Sequence, residues 1–188
     1  MHPYKYSNEY FGISIDLPAD WKITTHKRLP ISPHSRDVYQ LYDDDVPTRP
    51  GVAKMLFSAS KERSPYVDAK IEISCSVADQ DDVFASVLAR KKSIRAKQAE
   101  SSEATKYWHV AISELETGEW ELDGLRFQYI DEVSGGRSRV IHRFAFVHIP
   151  AKGWIELHAM GCEREKFEEV LTFAETLRCS GGHESDGS

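Results

Sequence analysis

The chain has 188 residues, 40% of them hydrophobic, 29% charged and 11% aromatic, with a formal net charge of −6. This suits one globular domain with a sizeable core of its own. The acidic balance excludes a general phosphate-binding role, which needs a clustered excess of Lys and Arg, so no nucleic-acid partner is expected. No apolar run is long enough to cross a bilayer, and the opening MHPYKYSNEYFGISIDLP has no apolar signal-peptide core. The expected location is the cytoplasm, away from membranes. Cys75, Cys162 and Cys179 form no CxxC pair. An odd count without a leader points to reduced, structural thiols.

In chain order, the first clear element is FGISIDL, where Phe11, Ile13, Ile15 and Leu17 alternate with Gly12, Ser14 and Asp16. A period of two means a half-buried strand. Pro18 ends it, because proline cannot donate to a ladder, and Trp21 seals the core edge. Leu29 to Arg36 and Asp43 to Gly51 read as surface loops. Val52 to Ala59 is a second strand, with Ala53, Met55, Phe57 and Ala59 expected to face inward. Lys70 to Val77 is a third, with Ile71, Ile73, Cys75 and Val77 inward.

Asp79 to Glu100 changes to helical period. Asp79, Asp81 and Asp82 suit a helix N-terminus, and Phe84, Val87, Leu88, Lys91 and Ile94 fall near one stripe. Ser101 to Thr105 is a loop. Residues 106 to 161 read as a meander. Its first strand carries Trp108, Val110 and Ile112, and Asp123-Gly124 makes a hairpin between Trp120-containing and Tyr129-containing strands. Ser134-Gly135-Gly136 is a further turn, Arg139 to Ile149 a long strand, and Pro150 to Gly153 turns the chain into Trp154 to Met160. Glu163 to Leu177 is an amphipathic helix with Phe167, Val170, Leu171, Ala174 and Leu177 inward. Gly181 to Ser188 is a polar, disordered tail. Residues 1–180 form a single domain. Runs of antiparallel strands, with one helix in the middle and one at the end, predict α+β architecture.

The opening YSNEYFGISIDLPADWKI, with its Phe11-Gly12 step, alternating strand and Pro18-Ala19-Asp20-Trp21, resembles the PsbP-like superfamily. That superfamily also contains the Ran-binding Mog proteins and bacterial proteins of unknown function. GLRFQYI, RSRVIHRFAFV, GWIELHA and a helix ending FAETLR continue the resemblance across residues 6 to 178. It implies an α/β/α sandwich around a central antiparallel sheet of about six or more strands. It also implies a role in binding or assembly, although fold analogy does not transfer a partner.

Candidate chemistry is sparse. His142, His148, His158 and Cys162 lie in or beside the last two strands of the meander. If Pro150 pairs with Gly153 around a two-residue turn, Ala145 faces His158 and Val147 faces Glu156. His142 and His148 then fall on the opposite face, and no metal site is expected; a one-residue slip would bring the group together. There is no GxSxG elbow and no phosphate cradle. Glu114, Glu116, Glu119 and Glu121 suit a solvated strand face, and Asp43 to Asp45 a solvated turn. On the same register Arg143, Glu156 and His158 lie together, with Arg126 pointing away from the apolar side of its strand. Those four residues are the candidate ligand site, for an anionic or peptide ligand held by Arg126 and Arg143 beside a pH-sensitive His158. The simpler and preferred reading of the same residues is a salt-bridged, solvated face. The expected function is non-enzymatic protein binding or assembly, with no cofactor. The alternatives are a cognate inhibitor or chaperone of a secreted effector, and a small-molecule or metal-dependent enzyme.

Overall fold

The computed structural model describes residues 4–8, 10–18, 20–25, 53–63, 66–76, 82–102, 115–134 and 139–179. Among these the strands are β1 (Tyr4–Asn8), β2 (Ile13–Leu17), β3 (Lys22–Thr25), β4 (Ala53–Arg63), β5 (Tyr66–Ser76), β6 (Glu116–Leu122), β7 (Leu125–Ser134), β8 (Val140–Ile149), β9 (Gly153–Gly161) and β10 (Arg178–Cys179). The helices are α1 (Val83–Ser102) and α2 (Arg164–Ala174). Seven strands form one sheet in the order β3-β4-β5-β9-β8-β7-β6, and β1-β2-β10 form a second. Every neighbouring pair is antiparallel. Helix α2 and the small sheet pack on one face of the large sheet, and α1 lies on the other. The result is the expected α+β sandwich, with a central antiparallel sheet and flanking helices.

The α2 side is the core. Alternation along β5 and β9 sends Ile71, Ile73, Ile155 and Leu157 into it, all at or near zero exposure, where they meet Phe167, Val170 and Ala174 of α2. Each such side chain stabilises the fold by roughly 1.5–3 kcal/mol. The small sheet adds Ile13, Ile15 and Leu17, as its alternation predicted. Trp21 closes the edge with its ring against Phe173, at 5.2 Å between centroids. Helix α2 can begin directly beside the end of β9 because residue 161 is glycine. A Cβ there would run into the backbone of Phe167.

Three local features depart from expectation. In β4, both Met55 and Phe57 keep partners while one residue between them is extra, so the ladder shifts at Leu56. Upstream of this bulge the facing inverts. Met55 pairs with Ser74, away from the core, while Lys54 pairs with Cys75 and is buried. Of the expected inward set, Phe57 and Ala59 enter the core and Met55 does not, while the side chain of Ala53 lies outside those described.

The first helix begins at Val83, and Asp82 caps it: its Oδ1 accepts the N–H of Ala85 at 3.0 Å. It runs through Ser102, into the segment expected to be a loop. Phe84, Lys91 and Arg95 reach the sheet, while Ile94 is 45% exposed, so the buried stripe does not run through Ile94.

The third departure is the turn between β8 and β9. Ile149 pairs with Gly153, leaving three residues in the loop. The N–H of Lys152 donates to the carbonyl of Ile149 at 3.0 Å, with Pro150 second in the turn and Ala151 third at φ 63°. That is the geometry of a type II turn, for which Pro is favoured in the second position. The expected two-residue closure is wrong by one residue, and the register moves with it.

The Asp123-Gly124 hairpin is present, with both residues at positive φ and Leu122 paired to Leu125. The strand through Trp108 to Ile112, the loops 29–36 and 43–51, Glu114, Val77, Asp79, Asp81, the Gly135-Gly136 turn and the tail 181–188 lie outside the described residues.

Candidate functional site

A shift of one residue exchanges the two faces of a strand. With Ile149 opposite Gly153, His158 stands opposite Phe144 and Glu156 opposite Phe146. On the other side of β9, His158 faces Glu72 and Glu156 faces Ser74. All of these point to the α1 side. Arg143 pairs with Ala159 and points to the α2 side. The four residues expected to form one ligand site are therefore divided. Glu156 and His158 share a face, Arg126 stands at its rim, and Arg143 is behind the sheet.

The two arginines differ in how far they are engaged within the chain. Arg143 makes a two-pronged ion pair with Asp131, at 2.8 Å and 2.7 Å, and its guanidinium lies 4.0 Å from the ring centre of Tyr129. Only 15% of its side chain is exposed. Arg126 is 71% exposed, 3.7 Å from Glu119.

On the α1 side the register assembles something the sequence did not announce. Lys70 Nζ lies 2.7 Å from Glu72 Oε1. The other oxygen of Glu72 is 3.3 Å from His158 Nδ1. His158 Nε2 is 3.1 Å from His142 Nδ1, and His142 Nε2 is 2.9 Å from Ser134 Oγ. The two imidazoles lie within 16° of parallel, and Phe144 stacks on His158 at 4.3 Å and 8°. The chain of contacts thus crosses β5, β9, β8 and β7 in turn. Cross-strand pairing puts these residues side by side.

Helix α1 lies over one end of this row. Glu132, opposite His142, takes Lys91 at 2.8 Å and Arg95 at 3.4 Å. Lys91 Nζ also sits 3.7 Å from the centre of the Phe144 ring. Arg95 Nη1 is buried without a hydrogen-bond partner. Phe84 of α1 also meets the Phe146 ring edge-on, at 6.2 Å between centroids.

With both imidazoles neutral, the hydrogen bonds have one consistent direction. The Glu72 carboxylate only accepts, so His158 Nδ1 must carry the proton. His158 Nε2 then accepts from His142 Nδ1–H, and His142 Nε2 accepts from the Ser134 hydroxyl. Burial would raise the Glu72 carboxyl, but hydrogen bonds from His158 and Lys70 pull it down to about 2. Burial pushes His142 down to about 4, and the neighbouring His158 adds to that. Burial likewise opposes Glu132, which is nevertheless lowered through Lys91 and Arg95.

Glu156 differs from its neighbours. Its carboxyl is half-buried, pushed up by burial, and makes no hydrogen bond or ion pair among the described residues. The other acids of this face are closed onto cations or imidazole.

Of His142, His148, His158 and Cys162, only two come together. His142 and His158 meet, but exposed His148 leans on Trp154 at 5.2 Å, and Cys162 Sγ donates to Asp68 at 3.6 Å. Among the described residues, no three His, Cys, Asp or Glu side chains are grouped to hold a metal ion. Glu72, Ser134, Lys91, Arg95 and Glu132 were not singled out for this site from sequence. Pro150 in the second place of the β8–β9 turn was the available clue, since a three-residue loop follows from it and fixes which residues face α1.

No family model and no curated protein matches the chain. Among solved structures it is similar to cyanobacterial PsbP from Synechocystis sp. PCC 6803, at a TM-score of 0.48 and 12% identity, over 95% of this chain and 92% of that one. It is also similar to protein PA94 of unknown function from Pseudomonas aeruginosa, at a TM-score of 0.37 and 12% identity, over 92% and 90%. Likeness at this level says nothing of function.

Proposed function

We propose that this chain is a non-catalytic protein-binding or assembly domain, and that its partner presents a basic side chain to Glu156. Glu156 is the observation that supports the reading. A half-buried carboxylate without a partner is costly to keep, and a Lys or Arg from a second protein would satisfy it with a charge-assisted hydrogen bond. The acids around it are already closed onto internal partners. Free thiols at Cys75, Cys162 and Cys179 support a reducing compartment such as the cytoplasm.

The test is retention of a partner from the native host's lysate on the immobilised chain, followed by titration calorimetry with the purified partner. One discrete protein is expected, bound about tenfold or more weakly by Glu156→Gln. Undiminished binding by that variant removes Glu156 from the interface. A second reading, a small-molecule enzyme, is favoured by one observation: a raised carboxyl beside an imidazole is also how a general acid is built. A large thermal shift with a metabolite, and none with a protein, would select it.

A further inference from the structure

We propose that His142 and His158 form an acid-sensitive latch for α1: protonation of both rings breaks their mutual contact and repels Lys91 and Arg95, so that α1 leaves the sheet while the α2 side stays packed. The proposal stands on the isolated chain and needs no partner.

Proton positions give the mechanism. In the neutral chain one proton lies between the two rings, on His142 Nδ1, and points at His158 Nε2. A first added proton is accommodated. It sits on His142 Nε2, the shared proton passes to His158 Nε2 so that the charge rests on the ring beside Glu72, and the Ser134 hydroxyl rotates from donor to acceptor at the same 2.9 Å contact. A second has only His142 Nδ1 to occupy. Two N–H groups would then face each other across 3.1 Å, each on a cationic ring. The contact cannot persist in that state.

The surroundings decide what moves. Facing the pair are Glu132 and Ser134 from β7, Glu72 and Lys70 from β5, Glu156 beside His158 on β9, and Lys91 and Arg95 from α1. At neutral pH the three cations and three carboxylates balance. New charge on the imidazoles tips the balance to positive. Lys70 belongs to a central strand of the large sheet and is held by its ladder. Lys91 and Arg95 belong to a helix whose ion pairs to the sheet both end on one carboxylate, Glu132, with Arg95 Nη1 lacking a partner. The helix is therefore what moves, and Phe144 and Phe146 are uncovered when it does.

The direction with pH follows from linkage. His142 in the docked form binds its proton more weakly than usual, about 4 against 6.5. The docked form thus loses stability as pH falls from about 6.5 towards 4. Glu72 and Glu132, both lowered, add their loss only further down, below the ordinary carboxylate range. Glu156 is raised and works in the opposite sense, since its protonation favours the docked form.

The experiment is hydrogen exchange of the full chain, read as protection factors at pH 7 and pH 4.5. Peptides from residues 83–102 are expected to lose about tenfold or more of their protection, while those from β5 and β9 change by less than about twofold. His142→Gln is expected to keep α1 protected at pH 7 and to flatten its pH response. Lys91→Met, which leaves both histidines in place, is expected to move the loss to lower pH. Constant α1 protection in the wild type overturns the latch. So does simultaneous loss from β5 and β9, or an unchanged pH profile in both variants.

Discussion

The two faces of the seven-stranded sheet are built from the same strands by different chemistry. The α2 side is apolar and closed: Phe57, Ile71, Ile73 and Leu157 are fully buried against α2 and the small sheet. The α1 side carries Glu72, Glu132, His142, Glu156 and His158 at partial burial beside buried Ile130 and Phe146, beneath a helix whose ion pairs end on Glu132. The contrast separates what holds this molecule together from what it has available for interaction. Non-directional packing supplies most of the stability on one side. Directional, titratable contacts set the behaviour of the other.

Substitutions on each face should reveal that division, and four are ordered here by expected size. Leu157→Ala, in the core, is expected to cost about 3 kcal/mol of unfolding free energy in a denaturant titration. Arg143→Met leaves Asp131 without its partner behind the sheet, and about 2 kcal/mol is expected by the same measurement. Glu132→Gln acts on the α1 side, with about 1 kcal/mol expected. Its loss should show in exchange from α1 before it shows in global unfolding. Glu156→Gln is expected to change stability by less than about 0.5 kcal/mol at acidic pH and to stabilise at pH 8. A raised carboxyl binds its proton more tightly when folded, so stability falls as pH rises through its titration, and glutamine removes that fall. A large loss from Glu156→Gln would mean that the α1 side is structural after all.

The core face was legible in the sequence because alternation reports it directly. Ile13, Ile15 and Leu17, or Ile71, Ile73 and Cys75, need only the period of the pleat. Phe167, Val170 and Ala174 need only that of the helix. The bulge at Leu56 was not legible, because Lys54 at a core-facing position contradicts any hydrophobic pattern. The polar row was hidden for another reason. Glu72, Ser134, His142 and His158 come from four strands and meet only through pairing register, which alternation does not specify. Of the four residues proposed for a site, Glu156 and His158 share a face as expected. Arg143 was misplaced because its facing was judged through a turn one residue too short.

That turn has a consequence for how this chain can change. Loops of a few residues on a surface ordinarily tolerate insertion and deletion. Pro150, Ala151 and Lys152 are not such a loop. Removing Ala151 or Lys152 would leave a two-residue loop with Pro150 in its first place, where such turns need a positive φ that proline cannot adopt. The chain would then have to distort the turn or slip the register, and a slip of one residue would turn Ile155 and Leu157 to water and Glu156 and His158 into the apolar core. Indels at this site should therefore be far rarer in viable variants than at the other exposed turns, and substitution rather than length change is the route by which the turn can drift.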